Sequence, residues 1–184
     1  SNIGVKYTTF YAFSTENWKR PPEEINFIFN LLVEKIEEFY ERMNKENVRL
    51  RFIGRLEELP ENVKAKCFEY EEKTKNNEKI QAILALNYGG RSEIVDAVKK
   101  MLDQDNRHID EQTFRNYLYA PDVPDPDLVI RTSGETRISN FLLWEIAYSE
   151  FYFSNLLWPE FSEEELKRAV EAYQGRDRRF GGIR

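Results

Sequence analysis

An α/β fold, with a mainly parallel central sheet flanked by helices, is predicted by two features of this 184-residue chain. Short apolar runs of strand type alternate with longer helical patterns, the arrangement that builds a parallel sheet. Glycines and prolines punctuate the boundaries between them. The length suits one domain, residues 1–184. A core of that size buries roughly 70% of the surface an unfolded chain exposes.

Each element has its own signal. Val5 to Phe13 is rich in Val, Tyr, Thr and Phe and reads as a buried strand. Pro21 and Pro22 lead a helical pattern from Glu23 to about Lys45. Ile25, Ile28, Phe29, Leu32, Ile36 and Phe39 recur there at spacings of three and four, forming one apolar stripe. Phe27 and Leu31 widen it, which points to cover on more than one face. Val48 to Ile53 reads as a second strand ending at Gly54, and Pro60 opens a polar helix to about Lys75. Lys79 to Tyr88 is a third strand, stopped by Gly89 and Gly90. A short helix follows with Ile94, Val95, Val98, Met101 and Leu102 on one face. Thr113 to Tyr119 reads as helix, and the proline-rich APDVPDPD as loop. Asp127 to Arg131 is a fourth strand, Ser139 to Ala147 reads as helix, and Glu150 to Phe153 as a last strand. Ser162 and Glu165 form a capping box for a final helix.

Composition excludes several function classes. A net charge of −6 argues against a general nucleic-acid binder, which needs a basic face. The single cysteine, Cys67, rules out an internal disulfide and fits a reducing, cytoplasmic compartment. The single histidine, His108, lies in DQDNRHIDEQ, which reads as a solvated connection. One His and one Cys leave no zinc site of the usual ligands. G-x-S-x-G, G-x-x-x-x-G-K-[ST] and G-x-G-x-x-G do not occur. No run approaches the roughly 18 apolar residues of a membrane span, and no secretory signal is visible. The chain opens on Ser1 and enters a strand-like run almost at once, which raises the expectation of an upstream segment.

In open parallel sheets, ligands bind beyond the carboxyl ends of the strands. That rule picks out FSTENWKRP, IGR, NYGGR and IRTSGETR. Arginine is well suited to a phosphoryl group there, because its planar fork holds two oxygens and keeps its charge. Around IRTSGETRIS two readings stand side by side. One is a surface loop whose arginines pair with the chain's many acids, Glu135 among them. The other is a diphosphate cradle in which Arg131, Arg137 and the Ser139 hydroxyl donate and Gly134 lets backbone N–H groups approach. A helix starting at Ser139 would add a positive partial charge. At about 1.5–3 kcal/mol per charge-assisted bond, two arginines supply much of the roughly 8 kcal/mol of a micromolar affinity.

Three other stretches carry the same ambiguity. Ser14, Asn17, Pro21 and Pro22 suit a strand-to-helix turn, but Trp18 and Arg20 in that loop also suit the entry of an apolar cavity. GRDRRFGGIR is either a basic tail or a ligand-touching turn. Glu150 sits in apolar AYSEFYF, where an unpartnered carboxylate is costly. Its partner is either an arginine or a magnesium ion, which favours one or two carboxylates plus substrate phosphates.

FSTENWKRP, LNYGGR, DLVIRTSGETRISNFLLWEIAYSEFYF, LWPEF and RDRRFGG, in this order, resemble the cis-prenyltransferases, the family of the undecaprenyl diphosphate synthases. The resemblance runs from about Tyr11 to Gly182. It implies condensation of isopentenyl diphosphate onto an allylic diphosphate such as farnesyl diphosphate, forming cis double bonds. It also implies Mg2+, a homodimer, a hydrophobic tunnel that Phe27 and Leu31 would line, and peripheral membrane contact for product release. By motif, Arg131, Arg137, Ile138 and Ser139 resemble the binders of isopentenyl diphosphate, and Glu150 the magnesium carboxylate. Ser14, Thr15, Glu16, Trp18 and Arg20 resemble substrate contacts. Asn17 matches the position the family assigns to proton removal; an amide is a poor base, so orienting a water or a substrate oxygen suits it better. Arg179 and Gly181 resemble a turn that reaches the diphosphate, from the partner subunit.

One feature of the family pattern is missing: the N-terminal Asp-Gly-Asn block ending in Arg-Trp, and with it the first strand and helix of the fold. The expectation is therefore an N-terminally incomplete domain with little turnover of its own. A rival reading is a non-catalytic partner subunit supplying tunnel wall and dimer surface. Such relatives are expected to lose the arginine and asparagine positions, and Arg131, Arg137 and Asn17 are all present.

Overall fold

The structure is a computed structural model and describes residues 3–176. The chain forms two compact units, Ser1–Val123 and Pro124–Arg184.

In the first unit the elements run β1 (Tyr7–Ser14), α1 (Pro22–Lys45), β2 (Val48–Ile53), α2 (Glu61–Thr74), β3 (Ile80–Tyr88), α3 (Gly90–Asp103) and α4 (Glu111–Arg115). The sheet order is β1-β3-β2, and both pairings are parallel. β3 is the central strand, so Ile83, Ala85, Leu86 and Tyr88 are fully buried. β1 is less buried than its apolar run predicts. It pairs with β3 along one edge, Phe13 alone is buried, and Tyr7 and Phe10 are exposed.

α1 sends Ile25, Phe29 and Ile36 into the core, where Val63, Cys67 and Tyr70 of α2 meet them. Phe27 and Leu31 stay outside that core, 65% and 40% exposed. Burial pushes the Cys67 thiol up to about 12, so it serves as packing and not as a nucleophile. Thr74 ties α2 to the sheet: its hydroxyl donates to the Tyr70 carbonyl at 2.8 Å and accepts the Leu50 N–H at 2.9 Å. α4 is shorter than the pattern over 113–119 suggests. Asp110 starts it early by accepting the Thr113 N–H at 2.7 Å, and the Tyr119 N–H is taken by the buried Glu93 carboxylate at 2.9 Å.

A polar network sits just beyond the carboxyl ends of β2 and β3. Gly54, at φ +122°, brings β2 so close to β3 that a Cβ there would lie 2.0 Å from the Leu86 carbonyl oxygen. Arg55 then grips Asp96 through two bonds of 2.8 and 3.0 Å, and the Tyr119 hydroxyl donates to Asp96 at 2.6 Å. Arg55 is thus committed to the fold rather than offered to a ligand. Burial opposes ionisation of Asp96, but the Arg55 fork and the Tyr119 hydroxyl outweigh it and hold the carboxyl below the usual carboxylate range.

The second unit contains β4 (Leu128–Arg131), β5 (Glu150–Phe153) and α5 (Glu163–Gln174). β4 and β5 pair in parallel, Leu128 opposite Glu150 and Arg131 opposite Phe153. The helix expected over residues 139–147 does not form; turns fill the stretch. Ser139, Asn140 and Leu142 adopt φ of 50°, 65° and 44°, a left-handed conformation that a right-handed helix cannot contain. The helix end expected to add charge at Ser139 is therefore absent. At α5, Ser162 caps as expected, accepting the Glu165 N–H at 3.3 Å. The Glu165 carboxylate does not return the bond. It is buried and accepts from Tyr152 and Ser154, each at 3.0 Å, which holds α5 to β5. Among the described residues, no helix is long and apolar enough to cross a membrane.

Two outcomes follow for stability. Gly54→Ala is expected to cost on the order of 3 kcal/mol, read as a lower urea midpoint at unchanged m-value, because backbone and not a flexible side chain blocks the new methyl. A wild-type midpoint in that variant would contradict the close approach. Asp96→Asn is expected to cost about 1–3 kcal/mol at pH 7 by removing hydrogen bonds to a charged partner. The stability Asp96 contributes is complete above its unfolded pKa of about 4 and fades as pH falls through the lower folded value. The gap between wild type and variant should therefore narrow on titration from pH 6 to pH 2.5; a constant gap would rule out the ionised pair as its source.

Candidate functional site

In the first unit the candidate residues lie on one turn. β1 ends at Ser14, and Thr15–Lys19 winds as a 3₁₀ turn. The Ser14 N–H donates to Asn17 Oδ1 at 2.8 Å, and the Arg20 N–H donates to the Asn17 carbonyl at 3.0 Å. Asn17 therefore closes the turn with its side-chain oxygen, which leaves its NH2 group as the end available to a ligand. Thr15 donates to the Glu16 carboxylate at 3.2 Å, and Arg20 meets Glu24 at 2.7 Å in an exposed i,i+4 pair. Trp18 packs edge-on to Phe13, with centroids 5.3 Å apart, and against Phe29 at 5.6 Å. Its indole Nε1–H donates to Asn87 Oδ1 at 2.7 Å.

Asn87 lies in the NYGGR stretch, where the sequence alone assigns it no role of its own. It is 1% exposed, holds φ +47°, and donates from its amide to the Arg55 carbonyl at 3.1 Å and the Glu58 carboxylate at 2.9 Å. The available signal is an asparagine at the penultimate position of an apolar strand, with Tyr88 between it and the double glycine.

In the second unit, Arg131 ends β4 and the chain turns sharply. Ser133 and Gly134 take φ of 69° and 68°. Their N–H groups donate to the Leu156 carbonyl at 2.7 Å and the Ser154 carbonyl at 2.9 Å. These two amides hold the loop against the chain after β5, so they do not face a ligand as the cradle reading expects. Arg137 is exposed and ion-paired with Glu135. Ile138 is half-buried and its carbonyl accepts from the Phe141 N–H at 3.1 Å; Ser139 is exposed. Arg179 and Gly181 lie outside the described residues.

The two arginines of the loop differ. Arg51, Arg55, Arg107, Arg168 and Arg176 each meet an acid, as Arg137 does. The Arg131 Nε is buried, and among the described residues nothing accepts from it. Arg49 Nε shares that condition, but it lies near the amino end of β2, the end of a parallel sheet that ligands do not use.

Glu150 opens β5 and meets Arg176 at 2.6 Å. Among the described residues no three potential ligands gather as a metal site. One hard carboxylate suits magnesium completed by water and substrate phosphates, rather than a cage built by the protein. In the ladder Glu150 stands three residues before the partner of Arg131, roughly 10 Å along the strand.

Residues 1–181 match the family described as "Putative undecaprenyl diphosphate synthase". An isoprenyl transferase of Thermotoga maritima is 54% identical over 98% of this chain and 79% of its own length. An isoprenyl transferase of Fusobacterium nucleatum is 50% identical over 100% of this chain and 80% of its own. Two crystal structures share the fold. One is a "probable undecaprenyl diphosphate synthase" from Campylobacter jejuni, at TM-score 0.89 and 41% identity, covering 96% of this chain and 83% of that one. The other is lavandulyl diphosphate synthase from Lavandula x intermedia in complex with dimethylallyl diphosphate, at TM-score 0.94 and 32% identity, covering 98% and 81%. With the family match running through both units and the strand-end motifs in place, the chain belongs to the undecaprenyl diphosphate synthase family of cis-prenyltransferases.

Proposed function

We propose that this protein elongates a prenyl chain by condensing isopentenyl diphosphate with an allylic diphosphate of the farnesyl type, giving a cis-polyprenyl diphosphate such as undecaprenyl diphosphate. Residues 1–184 belong to a single cis-prenyltransferase domain, and the cytoplasm is its place of work. The observation that carries the reading is the buried Arg131 Nε–H, which has no acceptor among the described residues. An unsatisfied buried donor costs about 1–3 kcal/mol, and a diphosphate oxygen removes that cost on binding. Arg137 is exposed and already paired with Glu135, so it exchanges one anion for another and contributes less. The Ser139 hydroxyl and Ile138 belong to the same loop and border the same phosphate.

In the reaction the allylic C–O bond breaks and diphosphate departs. The double bond of the isopentenyl unit attacks the allylic carbon, and the new C–C bond is followed by loss of a proton. Asn17 presents an NH2 group, a donor without basicity at neutral pH. It therefore orients an oxygen of water or substrate that accepts the proton. Ser14, Thr15, Glu16, Trp18 and Arg20 border that substrate. Magnesium held with Glu150, when bound, neutralises charge on the phosphates. Phe27 and Leu31, outside the core, offer apolar surface to the growing chain. Exposed Phe153, Leu157 and Trp158 suit a second copy of the chain in a homodimer, or a lipid surface at product release.

Calorimetric titration with isopentenyl diphosphate tests the reading. Arg131→Ala is expected to weaken binding about 10–100-fold, and Arg137→Ala only a few-fold. Equal losses, or a larger loss at Arg137, would refute the assignment of the buried donor to the diphosphate.

A further inference from the structure

We propose that Asn87 is a positioning residue for chain elongation. It holds Trp18, and through Trp18 the Ser14–Lys19 turn that presents Asn17 to the substrate. The inference rests on the elongation reading above and assigns a role to a residue of the NYGGR stretch that is not among the site residues named from the sequence.

The turn is closed locally by the Ser14-to-Asn17 and Arg20-to-Asn17 bonds. Those bonds fix its shape, and the β1 ladder sets Ser14 opposite Tyr88. Further along the turn, Trp18 is tied to the sheet by the 2.7 Å bond from its Nε1 to Asn87 Oδ1, which joins residues 69 apart in sequence. Asn87 is itself immobilised. Both amide hydrogens are used, toward the Arg55 carbonyl at 3.1 Å and the Glu58 carboxylate at 2.9 Å, and its own carbonyl accepts the Arg55 N–H at 3.2 Å. Arg55 is anchored in turn by its two bonds to Asp96. A continuous chain of bonds therefore runs from α3, through the end of β2, to the turn that carries Asn17.

Residue chemistry is narrowly defined here. A φ of +47° favours Asn, Asp or Gly. Acceptance from an indole together with donation to a carbonyl and a carboxylate requires an amide. Trp18 is 39% exposed, so its packing on Phe13 and Phe29 leaves the ring room to shift once the bond is lost. A displacement near 1 Å at a positioned group costs about 10²-fold in rate.

Two substitutions that tolerate the backbone separate positioning from stability. Asn87→Gly deletes the whole amide. Asn87→Asp keeps the acceptor for Trp18 but loses both donors and sets a second carboxylate against Glu58. Elongation is measured as label from isopentenyl diphosphate entering product with farnesyl diphosphate as primer. The Trp18 indole N–H resonance, identified by its loss in Trp18→Phe, is recorded for each protein. Asn87→Gly is expected to lower kcat about 10–100-fold, leave the KM for isopentenyl diphosphate within about twofold, and move the indole resonance. Asn87→Asp is expected to keep the indole N–H hydrogen-bonded, with its resonance moved downfield by the charged acceptor, and kcat within about threefold of wild type, despite a lower unfolding midpoint. Wild-type kcat in Asn87→Gly, or equal kcat losses in both variants, would overturn the proposal. Should Asn87→Gly not fold, the Asp variant decides alone: activity kept at reduced stability supports the role, and activity lost with the indole resonance still downfield, as for a bonded N–H, overturns it. A wild-type protein that neither forms product nor binds isopentenyl diphosphate would sink the elongation reading and this inference with it. Product from wild type with an unaffected Asn87→Gly would sink this inference only.

Discussion

Burying a guanidinium N–H without an acceptor costs about 1–3 kcal/mol, and the fold carries that cost at Arg131. The chain has the means to avoid it. With 33 acidic residues against 27 basic ones, carboxylates are plentiful, and Arg51, Arg55, Arg137, Arg168 and Arg176 all use them. What separates Arg131 is its position. It is the last residue of β4, and the chain behind it is pinned to the 154–156 segment by the Ser133 and Gly134 amides. The pinning holds the backbone in a left-handed turn and keeps the loop's own acid, Glu135, on Arg137. A donor kept unsatisfied within a rigid turn is what a diphosphate site needs, because binding then relieves a cost rather than disrupting a pair.

The first unit is organised by a different device. β3 pairs on both sides, and at its end, where the register with β1 shifts, its side chains hold the neighbouring loops. Asn87 binds the turn after β1 and the turn after β2 at once. Tyr88 donates to the buried Glu93, and Glu93 holds the Tyr119 N–H. The Arg55–Asp96–Tyr119 group closes the same network from α3. In a parallel sheet this end is where ligands bind, so the bonds that stabilise the loops also fix the geometry of Ser14 to Arg20.

Much of this was legible in the sequence. The strands Val48–Ile53 and Glu150–Phe153 begin and end where apolar composition predicts, and α1 ends at Lys45 as its stripe does. Failures came where a tertiary partner outbid a local preference. Residues 139–147 have a helical composition, but the structure needs left-handed residues at Ser139, Asn140 and Leu142. Glu165 sits at a capping-box position, yet Tyr152 and Ser154 claim its carboxylate. β1 reads as fully buried because sequence shows how apolar a strand is and not how many neighbours it has. At the site, the two loop arginines are equivalent in spacing. Only burial separates Arg131 from Arg137. The NYGGR stretch stands out in the sequence, but the part Asn87 plays in it depends on Trp18, far off in the chain.

The most direct measurement is a crystal structure of the protein grown with isopentenyl diphosphate. The account places a phosphate oxygen within about 3 Å of Arg131 Nε, with the Ser133–Gly134 turn unmoved. A diphosphate bound elsewhere, with Arg131 Nε still lacking an acceptor or turned onto an acid of the chain, would contradict it.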